Sequence, residues 1–123
     1  MFQLNEEVGC MSTELNLEKV VVEIRDWFEE NEATWLMLPT GWDGRPYDNI
    51  HRLQFLAHRP SKLLLELDQH GLFIFTDLKG FQRTDTKSET VLRFFDFSQC
   101  IVVGDTYHKV YKEGSVQFLA PKR

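Results

Sequence analysis

Between Trp42 and Asn49 the chain gathers an indole, a guanidinium, a phenol and two carboxylates in the run Gly41-Trp42-Asp43-Gly44-Arg45-Pro46-Tyr47-Asp48-Asn49. Trp42 and Tyr47 offer faces for stacking, and Arg45 offers a planar fork for a carboxylate or phosphate. Asp43, Asp48 and Asn49 supply acceptors, and His51 just beyond adds a group that titrates near neutral pH. Two glycines and a proline make the run a loop rather than a helix or central strand. Two readings follow. The loop is a pocket for an anionic small molecule, with Trp42, Asp43, Arg45, Tyr47, Asp48, Asn49 and His51 as ligand-binding candidates. Alternatively it is a compact loop that stabilises itself, with Arg45 paired to Asp43 or Asp48 and the two rings capping the core.

Other constellations are thinner. No phosphate-binding glycine loop, dinucleotide fingerprint, zinc-protease helix, C-x-x-C pair or nucleophile elbow occurs. His51, His58, His70 and His108 are scattered without metal-ligand spacing, so neither a metal nor a cofactor is expected. Cys10 and Cys100 lie far apart and make no disulfide framework, and Cys100 before Ile101-Val102-Val103 reads as a small core residue. A Cys100–His108 nucleophile pair would need the fold to bring the two together. Glu66 and Asp68, two apart, read as solvated surface. The chain is therefore not expected to be an enzyme; an acid–base role for His51 is the weakest of the functional readings.

These groups must be positioned by one domain of 123 residues, large enough for a core without staples. Ten phenylalanines demand burial. No apolar run approaches the roughly 18 residues of a membrane span, and acids stand near the N-terminus where a secretory signal carries positive charge. A cytoplasmic location is the expectation. Residues 1–14 lack periodicity and are expected to be a flexible leader, with 15–123 as a single α+β domain.

Asn16 is a good N-cap for a helix whose apolar residues, Leu17, Val20, Val21, Ile24, Trp27 and Phe28, fall on one face. Strands are expected at 34–38, at 51–57 with His51, Leu53, Phe55 and Ala57 on one face, and at 62–68 and 72–76 as a hairpin about Gly71. Residues 77–89 read as a long polar loop. Segments 90–97 and 100–103 read as strand, either as two strands or as one that bends, and 109–111 with 115–119 as a closing hairpin. The fold expected is α+β, one N-terminal amphipathic helix packed on a curved, mainly antiparallel sheet of about six to eight strands. Leu63-Leu64-Leu65, Phe94-Phe95 and Ile101-Val102-Val103 put apolar groups on both faces of that sheet. One helix covers one face. The other must be closed by curling, by a homodimer contact or by a partner.

Charge is uneven. Residues 1–34 carry nine acids against Lys19 and Arg25, and the other 89 carry ten acids and twelve bases. The excess lies in the leader and helix, which weighs against nucleic-acid binding. Glu23, Asp26, Glu29 and Glu30 lie on the polar side of the helix and are the partner-binding candidates. They form either a solvated face or a surface for a basic protein. The leading expectation is a small protein-interaction module, an acidic inhibitor or immunity-type partner; the alternative is the anionic-ligand pocket at 41–49.

Overall fold

The computed structural model describes residues 15–31, 34–42, 52–68, 71–104 and 108–122, with Gly41 and Trp42 described in the backbone alone. The leader 1–14 lies outside the described residues. Helix α1 (Leu17–Glu30) starts where Asn16 Oδ1 accepts the Lys19 N–H at 3.3 Å and stops where Asn31 Nδ2 donates to the Trp27 carbonyl at 2.8 Å. Val20, Val21, Ile24, Trp27 and Phe28 are buried, as the 3.6-residue period requires.

Among the described residues ten strands follow: β1 (Trp35–Leu38), β2 (Gly41–Trp42), β3 (Leu53–Arg59), β4 (Lys62–Leu67), β5 (Gly71–Thr76), β6 (Gly80–Asp85), β7 (Glu89–Phe95), β8 (Gln99–Val103), β9 (His108–Tyr111) and β10 (Ser115–Pro121). The fold is α+β with antiparallel pairing throughout the described strands. The strands divide between two five-stranded sheets, the first ordered β9-β8-β5-β4-β3 and the second β2-β1-β10-β7-β6. The sheets face one another through Leu63, Leu65, Phe73, Phe75, Cys100 and Val102 on one side and Leu36, Leu92, Phe94, Val116 and Phe118 on the other, all without exposure.

Helix α1 neighbours β3, an edge of the first sheet. Its Glu30 reaches Arg83 on β6, an edge of the second. It therefore closes the side of the sandwich where those edges stand, and its apolar stripe joins the core between the sheets. Trp27 Nε1 donates to Thr90 Oγ1 on β7 at 2.9 Å, and Phe28 meets Phe118 on β10 edge-on at 5.3 Å between ring centres.

Several local expectations are corrected. The segment 77–89 is not a long loop, because Gly80–Asp85 is an edge strand paired along β7. Its inward positions carry Phe81, which packs on Phe94 at 5.3 Å, and then Arg83 and Asp85, which find polar partners, so it lacks the apolar alternation of a strand. Segments 90–97 and 100–103 are not one bent strand but β7 and β8 in different sheets. Asp96, at φ 55°, turns the chain across, and Asp77, at φ 53°, does the same before β6. The two crossings are tied together by Lys79 N–H to the Asp96 carbonyl at 2.9 Å and Ser98 N–H to the Thr76 carbonyl at 3.0 Å. The last pair is no hairpin either, since β9 pairs with β8 while β10 pairs with β1 and β7. On β3 a register shift between Leu53 and Phe55 breaks the single face expected there. Leu53 opposes Leu67 and Phe55 opposes Glu66, on opposite sides of the sheet. The β4–β5 hairpin stands as expected, with Gly71 at φ 82°.

Candidate interaction surfaces

Of the loop candidates, Trp42 ends β2, its backbone opposite Met37. Asp43, Arg45, Tyr47, Asp48, Asn49 and His51 lie outside the described residues. The acidic candidates are all described. Glu23, Asp26, Glu29 and Glu30 are exposed along α1, and the last helical turn holds no basic residue to offset them. Glu30 has a partner on another element: Arg83 Nη2 lies 3.1 Å from its carboxylate. The same guanidinium holds Asp85 at 3.2 Å.

A polar chain runs from there into the core. The buried Thr90 hydroxyl accepts the Trp27 indole N–H and donates its own proton to Asp85, which Arg83 also holds. The Thr90 hydrogen bond, opposed by desolvation and helped by Arg83, keeps the Asp85 carboxyl below the usual carboxylate range. A lowered folded-state value stabilises above the unfolded carboxylate pKa and is lost as pH falls through the folded one. Thr90→Val is expected to leave the indole N–H unpaired and cost about 1–3 kcal/mol, read by urea unfolding. The deficit should shrink in acid as Asp85 protonates and the intact protein loses the same link. A constant deficit from neutral to strongly acidic pH would show that the carboxylate takes no part.

The remaining chemistry candidates are not assembled. Cys100 is fully buried, and burial pushes its thiol up to about 12. His108 pairs with Val103, three positions along β8, and is exposed, so no thiol–imidazole pair exists between them. Asp68 accepts the Arg52 N–H at 3.1 Å. Among the described residues no group of three or more His, Cys, Asp or Glu could hold a metal ion, and no helix is long and apolar enough to cross a membrane. A half-open hollow of 440 Å³ lies beside the two crossings, floored by Leu17, Leu63, Leu78 and Phe97 and rimmed by the exposed Asp77 and Lys79. The Tyr111 hydroxyl is buried without a hydrogen-bond partner among the described residues.

The outer faces of the two sheets differ. On the second, the central row reads Met37, Gln117, Arg93, Gln82. Gln117 turns its amide to the Met37 sulfur at 3.9 Å, and the Arg93 guanidinium lies 4.4 Å over the Phe95 ring. The row beside it reads Trp35, Leu119, Val91, Thr84, so on that face an apolar row lies next to a polar one. On the first sheet the central row reads Ala57, Leu64, Ile74, Ile101, Val110 without a polar residue. The row beside it reads Phe55, Glu66, Leu72, Val103, His108. Phe55 at 49% exposure, Val110 at 47% and Val103 at 39% stand in these two rows. An apolar band thus crosses all five strands and meets solvent.

No family model matches this chain, nor does any curated protein or solved structure. The apolar doublets in the sequence signalled a two-faced sheet. Which of their residues share a row depends on strand register, so no single segment of the sequence displays the band.

Proposed function

We propose that this protein is a small interaction module that works by docking to other protein surfaces rather than by catalysis. The observation that carries this reading is the apolar band on the first sheet. A domain working alone in water gains nothing from keeping Phe55, Val103 and Val110 open beside Leu64, Ile74 and Ile101. The exposed acids of α1 add a second surface whose chemistry favours a basic protein. The anionic-ligand reading rests on loop residues outside those described, and nothing in the described fold favours it.

The test is native mass spectrometry of the protein gently purified from its own cells. A heteromer with a protein of basic composition supports the reading, and a bare chain with no protein bound at any concentration counts against it. For the acidic surface, Glu23→Lys, Asp26→Lys and Glu29→Lys together should weaken such a complex about tenfold or more at low salt. The fold should stay intact, because Glu30, the acid that anchors Arg83, is left alone. Equal binding by the reversed protein would reject α1 as the contact.

A further inference from the structure

The apolar band has a charge frame, and the frame says what fits it. Along β4 the outward residues are Lys62, Leu64 and Glu66: a cation, an apolar group and an anion. On β3 the outward residues opposite them are Arg59, Ala57 and Phe55. One border row therefore opens with Arg59 and Lys62 and continues with Thr76 and Gln99, while the other holds Phe55 and Glu66. The apolar row lies between them.

From this pattern we infer that the outer face of the first sheet docks on the same face of a second copy of this chain. The twofold axis lies along the row Ala57–Leu64–Ile74–Ile101–Val110. The inference rests on the association reading above and names the occupant of its main surface. Two faces pressed together are related by a twofold axis in the plane between them. An axis along the row sets each strand antiparallel over its own copy. Lys62 then meets Glu66 of the second copy, and Arg59 meets the ring of Phe55, each contact occurring twice. An axis parallel to the strands would reverse the strand order, setting Lys62 over Gln99 and Glu66 over Val103, so neither charge would gain a partner. The pairing of Lys62 with Glu66 selects the first arrangement.

The dimensions agree. Five strands about 4.8 Å apart, four showing three outward residues and β9 two, form a plate of roughly 24 by 20 Å. With side-chain corrugation each copy would bury roughly 600 Å², about 1,200 Å² in all, the lower end of specific interfaces. Such an interface gives a reversible dimer that responds to concentration. Helix α1, on the inner side at the β3 and β6 edges, takes no part, so each copy keeps its acidic surface.

The experiment is sedimentation velocity of the full chain from low micromolar to several hundred micromolar, for four proteins. The wild type should move from monomer to dimer across the series. Ile74→Lys, at the centre of the row, should stay monomeric with an unchanged circular dichroism spectrum. Lys62→Glu should weaken the dimer about tenfold, and the exchange Lys62→Glu with Glu66→Lys should restore it to within about threefold. A wild type that remains monomeric throughout overturns the inference. So does a dimer indifferent to Ile74→Lys, or one that the charge exchange fails to restore. If the wild type is monomeric while native mass spectrometry finds a heteromer, self-docking falls and the association reading stands; if both find a bare chain, both fall.

Discussion

Phe118→Ala is expected to lower unfolding stability by about 3–5 kcal/mol. The ring is fully buried and meets Phe28 of α1 at 5.3 Å, Phe94 of β7 at 5.9 Å and Phe73 of the opposite sheet at 6.1 Å. Helix, first sheet and second sheet thus share one side chain. Its truncation leaves a void that none of the three can fill alone, since each is held by its other contacts. Domains of this size are stable by about 5–15 kcal/mol in total, so about a fifth or more of the margin would go. Chemical denaturation read by tryptophan fluorescence and by far-ultraviolet dichroism should show both transitions moving together. A shift of less than about 1 kcal/mol would mean that the three layers do not pack through this ring.

Gly71→Ala should cost about 2–4 kcal/mol although it adds a single methyl group at a half-exposed turn. Gly71 sits at φ 82°, where a side chain on an L-residue is strained by roughly 1–2 kcal/mol. A Cβ built there would also strike the Val103 carbonyl oxygen, a backbone atom of the neighbouring strand β8. Relief would need β5 and β8 to separate at their ends, disturbing the pairing of Leu72 with Val103. The comparison is Gly80→Ala, whose new Cβ would strike the ring of Phe95 instead of backbone. A side chain on the outer face can swing, so the second substitution should cost clearly less. Equal costs at the two sites would undo the backbone argument.

The helix and the β4–β5 hairpin were legible from sequence because both are local. A 3.6-residue stripe, an Asn16 cap and a glycine able to take positive φ are written within a few residues of where they act. The acids of α1 were legible for the same reason. The division into two sheets was not. Asp77 and Asp96 turn the chain across the sandwich in a conformation that glycine or asparagine usually announces, and aspartate gives a weaker signal. Strand β6 was hidden because its inward Arg83 and Asp85 are satisfied by Glu30 and Thr90, residues distant in sequence or on another strand. For the candidate surface, Leu64 and Ile101 were visible as members of apolar runs. Their alignment with Ile74 and Val110 is a matter of register, which no single segment encodes.

The strand order of the second sheet also constrains how the chain can be made. β10, the last described strand, lies in the middle of its sheet, between β1 and β7. Synthesis must therefore run through residue 121 before β1 and β7 gain the neighbour that joins them. Until then a growing chain carries two open strand edges and an unpacked Leu36, Leu92 and Phe94, whatever the first sheet has already built. Nascent chains arrested before residue 115 should be cut by protease throughout this half and released from that sensitivity only when β10 clears the ribosome. Folding of the second sheet on the ribosome is thus gated by β10, and a chain cut just before residue 115 would leave this half as open as one cut just after β7.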